Sequence, residues 1–198
     1  MKARAFHRVT GRVQDQALRD LDGGSDRGAA ERILNAGYAL RRDAVAALIA
    51  APFASPYPSR WSDGGFGVLY AAFEFETSLV EHGFHLARVL RESGKRRGFH
   101  PRLHIVFDVS ARLDDVRSED PRYSDPDDYA FARARGQKLH LGGSNGVVYS
   151  SARRRGGVCA GIFRPAVVER PAIAAGVGYA WDGEHLEAFA QPVSPIVL

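Results

Sequence analysis

Residues 52–59, PFASPYPS, place three prolines within eight positions, and GGFG follows at 64–67. Proline has no amide to give to a helix or an interior strand, and it pushes the residue before it toward extended backbone. The stretch therefore reads as an ordered extended loop that delivers Arg60 and Trp61 to a fixed place. The glycines allow a tight turn into GVLYAA (67–72), a β-prone run. Residues 74–92 have helix-forming composition, with Leu79, Gly83, Leu86 and Leu90 on one apolar stripe and Glu81 off it. A loop, a strand and a helix thus carry Arg60, Tyr70 and Glu81 to the corners of one unit, and a core requires none of the three.

The rest of the chain reads as short alternating elements. ARAFHRV (3–9) is a strand, AAERILNA (29–36) a short helix after the turn-rich DGGSDRG, and AVAALIA (44–50) a buried segment of either type. KRRGFHPR (95–102) is a basic connector into a long strand, RLHIVFDVSARLD (102–114). DPDDYAFARARGQKLHL (125–141) opens with Asp before Pro, which predicts a capped helix with proline at its first position. GVVY (146–149), CAGIF (159–163), GVGYAW (176–181) and HLEAFA (185–190) add strands. The pattern is α+β, with no internal repeat and no linker, so one domain over 1–198 is expected.

Composition agrees: 198 residues, 45% apolar and 25% charged, suit one soluble globular domain with no run able to span a bilayer. MKARAFHRVT lacks the apolar stretch and cleavage pattern of an export signal, so a cytoplasmic location is expected. The single cysteine, Cys159, lies in the apolar run VCAGIF and reads as a buried strand thiol, not a nucleophile. A net charge of +4 calls for an anionic partner, whether nucleic acid, an acidic protein or a phosphate-bearing small molecule. GGFG is not a dinucleotide fingerprint, and no P-loop signature is present. The seven histidines form no metal-ligand pattern, so no metal is expected; His82 and His85 read as surface residues.

Two ordered blocks, PFASPYPSRWSDGGFGVLYAAFEFETSLVEHGFH and GVVYSSARRRGGVCAGIFRP, resemble the RES domain, a family named for its arginine, glutamate and serine. The resemblance runs through about residues 50–168, the motif-bearing core, and more weakly into GYAWDGEHLEAF. It places the family arginine on Arg60, the strand tyrosine on Tyr70 and the helix glutamate on Glu81. The family Tyr-Pro-Ser-x-Arg appears as Tyr149-Ser150-Ser151-Ala152-Arg153, which selects Ser151 by position and leaves Ser150 open. Arg8 in FHRV is a candidate for a further NAD-site arginine.

The resemblance implies an ADP-ribosyltransferase-like fold, a mixed sheet split around an NAD cleft and flanked by helices. It also implies the toxin of a bacterial toxin–antitoxin pair. The implied partner is an Xre-like helix-turn-helix antitoxin, in a hetero-oligomeric complex that binds operator DNA through the antitoxin. Family members consume NAD⁺ by hydrolysis or phosphorolysis, or transfer ADP-ribose to a protein such as phosphoribosyl pyrophosphate synthetase. Whether water, phosphate or a side chain is the acceptor stays open.

The residue chemistry fits NAD⁺ as substrate. Nicotinamide is a cationic leaving group, so cleavage mainly needs a negative charge beside the ribosyl cation, which Glu81 supplies. Arg60 would hold the pyrophosphate, Tyr70 would offer a ring face to nicotinamide, and Ser151 would position ribose or amide. If the GVVY strand continued regularly, Tyr149 and Ser151 would share one face and Ser150 the other. The competing expectation is a non-catalytic, basic nucleic-acid-binding domain using KRRGFHPR (95–102) and ARRRGG (152–157), although no recognition helix or RNA-binding strand motif accompanies them.

Overall fold

Strand β2, Leu69–Ala72, carries the site tyrosine and lies near the middle of an eight-stranded sheet. The computed structural model describes residues 6–10 and 42–192. The other strands are β1 (Phe6–Thr10), β3 (Gly98–Val109), β4 (Asp114–Asp115), β5 (Gly146–Ser150), β6 (Val158–Ile162), β7 (Val168–Trp181) and β8 (Leu186–Pro192). Their order is β4-β5-β6-β2-β1-β3-β7-β8, antiparallel at each step except the parallel β4–β5 pair. Among the described residues three α-helices flank the sheet: α1 (Arg42–Ala54), α2 (Phe75–Glu92) and α3 (Ala130–Leu141). The protein is thus α+β with a mixed sheet.

Alternation along β2 assigns its side chains to opposite faces. Leu69 and Ala71 join Val45 and Ile49 of α1 and Leu103, Ile105 and Phe107 of β3 in one apolar cluster. Ala72 and Tyr70 belong instead with the cluster around Trp61, and α2 buries Leu86, Ala87 and Leu90 against Val177, Tyr179 and Trp181 of β7. The stripe expected on α2 is present: Gly83, Leu86 and Leu90 are buried, while Glu81 is not.

The sheet opens at its centre. β1 pairs with β3 over five residues, but with β2 only at His7 and Ala72. Past that pair, side chains take over the unpaired backbone groups: the Val9 amide donates to Ser78 Oγ at 2.8 Å, and Arg8 Nη1 donates to the Tyr70 carbonyl at 2.6 Å. Satisfying these groups locally keeps a gap in the ladder from exposing orphan polar atoms. The resulting split is where the cleft forms.

Several boundaries differ from the sequence reading. Residues 44–50 are helical, and α1 continues through Pro52 to Ala54, so the extended loop begins only after the helix. Burial of Val45 and Ile49 outweighs the hydrogen bond that proline removes near the helix end. The basic connector is partly strand, since β3 starts at Gly98 and pairs Pro101 with Gly178 of β7. Among the described residues β1 pairs with β3 from Leu103 onward, so Pro101 has a strand neighbour there on the β7 side alone.

The predicted start of α3 is also corrected. The Asp125 carboxylate accepts from the amides of Asp127 and Asp128, and Asp128 accepts from Ala130, so these acids close local turns and the helix begins at Ala130. The expected helix at 29–36 and residues 3–5 of the first strand lie outside the described residues.

Candidate functional site

The loop carrying Arg60 is fastened from both sides. Tyr70 on β2 donates its hydroxyl to Ser59 Oγ at 2.8 Å and accepts from the Trp61 amide at 2.9 Å. Arg133 of α3 donates from Nε to the Ser59 carbonyl at 2.7 Å. The Trp61 ring is fully buried, 5.5 Å from Tyr123 and 5.3 Å from Tyr149, centre to centre. Gly136 lets α3 press on this loop, because a Cβ there would fall 2.1 Å from the Trp61 carbonyl oxygen. Tyr70 therefore holds the loop through its hydroxyl as well as lining the cleft with its ring; burial pushes that hydroxyl's titration upward, keeping it a phenol.

Arg60 itself is 8% exposed. Its Nη1 donates to the carbonyls of Tyr123 at 3.1 Å and Asp125 at 2.6 Å, and its guanidinium lies 4.3 Å from the Tyr129 ring centre. Tyr129 stands there because the Asp turns delay the start of α3. No carboxylate pairs with Arg60 among the described residues, and Nε and Nη2 have no protein partner there. A fixed, largely desolvated guanidinium with an unused edge is a receptor for an anion.

Glu81 approaches from α2. The Ser151 hydroxyl donates to Glu81 Oε1 at 2.6 Å and accepts from the amides of Arg153 and Arg154 at 3.1 and 2.9 Å. Two amides pulling on the oxygen make this hydroxyl a stronger donor to the carboxylate. Ser150 does not share this role; its carbonyl accepts from Ser124 Oγ at 2.8 Å. β5 ends at Ser150, so a turn, and not continued strand alternation, aims Ser151 at Glu81. Cys159 is buried with Sγ 3.8 Å from Glu81 Oε1, and burial together with that charge pushes the thiol strongly upward, away from a nucleophilic thiolate.

These elements enclose a cleft of about 450 Å³ at the split between β1 and β2. Ladder register sets Tyr149, Cys159 and Ala72 side by side across β5, β6 and β2 as part of its lining. Arg8, Arg60, Tyr70 and Glu81 all face it. Glu81 is the one carboxylate among the lining residues, against Arg8, Arg60 and Arg88. Arg8 is half-buried, with its Nε out of contact with water and without a hydrogen-bond partner, and desolvation lowers its titration without removing its charge. Ser151 is not among the residues that line the cleft; its hydroxyl is turned to Glu81.

The sequence reading set His82 and His85 on the surface; both line the cleft. Their signal was the spacing of Glu81, His82, His85 and Arg88, which brings one side of α2 to the cleft. His82 accepts from Arg102 Nε at 3.0 Å and also bonds the backbone of Val9. Burial, with Arg102 and Arg8 adding to it, lowers its titration to about 3, so His82 is a neutral strut. Tyr57, Tyr129 and Tyr149 also line the cleft; Tyr149 opens the serine motif and Tyr57 lies in the proline loop, whereas Tyr129 carried no sequence signal of its own.

Fold and site together define an α+β protein with a cationic, aromatic-lined cleft in a split sheet and a single carboxylate held across it. The chain belongs to the RES domain family, whose model matches residues 29–182. Among solved structures it is similar to a chain of the M. tuberculosis MbcT–MbcA toxin–antitoxin complex, with a TM-score of 0.50 and 16% identity, covering 86% of this chain and 84% of that one. At that identity the likeness concerns the fold. No curated protein matches the chain. Among the described residues there is no group of three or more His, Cys, Asp or Glu able to hold a metal, and no helix long and apolar enough to cross a membrane.

Proposed function

We propose that this chain is the toxin of a toxin–antitoxin pair and consumes NAD⁺ by cleaving its nicotinamide–ribose bond, passing ADP-ribose to water or phosphate. The observation that carries this reading is the pairing of a fixed, buried Arg60 with a Ser151-held Glu81 across one cleft. Family membership and the toxin–antitoxin neighbour support it.

In this reading the pyrophosphate lies against the free edge of Arg60 and against half-buried Arg8, which has no carboxylate partner among the described residues and whose desolvation an anion would offset. Glu81 faces the ribosyl carbon and stabilises the positive charge that grows as nicotinamide departs. Tyr70 and Tyr149 offer ring surface to the base. Ser151 acts through Glu81, holding its carboxylate in place by the hydrogen bond it donates. The cleft volume of about 450 Å³ lies in the range of small-molecule sites.

An Xre-like antitoxin, encoded beside the toxin and bringing the DNA-binding function, is the proposed partner. A carboxylate-bearing segment of it would compete for the Arg60 edge, so NAD⁺ binding by a complex with an open cleft would refute that mode of inhibition. Incubation with NAD⁺, with and without phosphate and with products read by mass, tests the enzyme. ADP-ribose marks hydrolysis, ADP-ribose phosphate marks phosphorolysis, and a mass gain on protein marks transfer. Absence of all three overturns the proposal.

A further inference from the structure

Most proton-bearing groups around the cleft are already engaged. The Tyr70 hydroxyl bridges Ser59 and Trp61, Ser151 donates to Glu81, Cys159 is buried against Glu81, and His82 is bonded to Arg102 and Val9. Burial also pushes Tyr149 well above the ordinary phenol range. His85 differs from all of them. It lines the cleft, is exposed on its open side, and makes no hydrogen bond among the described residues; its ring only meets the edge of Phe84 at 5.5 Å. It sits four residues after Glu81 on α2, which puts the two Cβ atoms about 5–6 Å apart on one helix face.

We infer that His85 is the base that takes the proton from the water molecule attacking the ribosyl carbon. The inference rests on the NAD⁺-cleaving reading above and selects water as the acceptor. As the bond between C1′ and the nicotinamide nitrogen breaks, its electron pair leaves on nicotinamide, which becomes neutral. A lone pair of the water oxygen forms the new bond to C1′, and one water proton passes to the free ring nitrogen of His85 and then to solvent. NAD⁺ and water give ADP-ribose, nicotinamide and one proton.

The surroundings suit a base at neutral pH. Glu81, His82 and Arg88 face His85 from α2, Arg153 from the turn after β5, and Arg60 from the loop before β2. Burial lowers its titration from the usual histidine value, Glu81 opposes that shift, and the three arginines reinforce it. His85 is therefore neutral at pH 7, and activity should fall on the acid side as it becomes protonated.

The test follows nicotinamide release by the full chain in phosphate-free buffer across a pH series, with His85→Gln and the smaller His85→Asn measured beside the wild type and folding checked by thermal melt. The expected result is a loss of about 10²-fold in kcat/KM at neutral pH, with the histidine acid limb gone. Azide, a nucleophile with no proton to lose, should restore nicotinamide release in the variants and yield ADP-ribosyl azide. Folded variants with wild-type rate and pH profile overturn the inference, as does a loss that azide leaves unrepaired. Wild-type release that requires phosphate overturns it while sparing the NAD⁺ reading. A wild type that releases no nicotinamide under any condition overturns both.

Discussion

Two basic regions of this molecule invite comparison. In the cleft, Arg60 is 8% exposed, fixed by two carbonyls and covered by Tyr129. At the far end of α2, Arg91, Lys95, Arg96 and Arg97 rim a more open groove of about 620 Å³ with Asp182 and Gly183, and all four are exposed. The second region carries more positive charge and more space. Among the described residues nothing fixes those charges toward one point; of the four side chains Arg91 alone has partners there, the Glu184 carbonyl at 3.3 Å and the Trp181 ring at 5.5 Å. Exposed, mobile lysines and arginines are screened by water and salt, whereas a desolvated and immobilised guanidinium keeps its field. Net charge pointed equally to both regions, and burial separates them.

The largest effects should come from breaking the cleft side of that comparison. Glu81→Gln keeps shape and removes the charge, so NAD⁺ turnover should fall by about 10²–10³-fold and growth inhibition should disappear, with the melting temperature close to wild type. Arg60→Lys should do the same mainly through KM, since an ammonium cannot serve the two carbonyls and an anion in one plane. Arg60→Ala is the harsher variant, because it strands the Tyr123 and Asp125 carbonyls in a buried site. Full toxicity in a folded Glu81→Gln chain would remove the cleft from consideration.

Next in size, Ser151→Ala should lower turnover about tenfold, because the Glu81 carboxylate loses the charge-assisted hydrogen bond that holds it in place. Ser150→Ala should stay within about twofold of wild type, as its backbone is engaged but its hydroxyl makes no hydrogen bond among the described residues. Equal defects in the two variants would mean that the serine turn matters as a whole and not through Glu81.

Acidification should then weaken the fold around the split. His82 titrates at about 3 and His104 at about 4 in the folded chain, both pushed down chiefly by burial. The unfolded chain takes up these protons near the ordinary histidine value of about 6.5, so it binds more protons as the pH falls through the window below that value. Stability is therefore present above about pH 6.5 and lost progressively toward pH 4, and His82→Gln should flatten the fall in melting temperature across that window. A melting temperature that does not change over it would contradict the buried, neutral assignment of both rings.

The smallest effect sharpens the other side. Replacing Lys95, Arg96 and Arg97 together by Glu should leave NAD⁺ turnover within about twofold, since exposed surface charges away from the site rarely matter to it. Any weak, salt-sensitive nucleic-acid binding by the isolated chain should vanish in the same variant. A large loss of NAD⁺ turnover would show that the two basic regions are coupled.

Much of the local structure was legible in the residues. The β2 run, the apolar stripe of α2 and the ordered positions of Arg60, Tyr70 and Glu81 follow from turn chemistry, periodicity and motif order, all local properties of a chain. Local rules misplaced the ends of α1 and α3: burial of Val45 and Ile49 carried a helix through Pro52, and the Asp125 and Asp128 carboxylates closed turns where a helix cap was expected. Tertiary structure alone decided that Ser151 turns its hydroxyl to Glu81, that Tyr70 fastens the Arg60 loop by its hydroxyl, and that His82 and His85 meet the cleft in different roles. Each of those facts depends on residues that the fold brings together from separate elements. Residue type and spacing can offer a charge or a hydroxyl, but which partner desolvates it, satisfies it or leaves it free is settled only when distant segments pack.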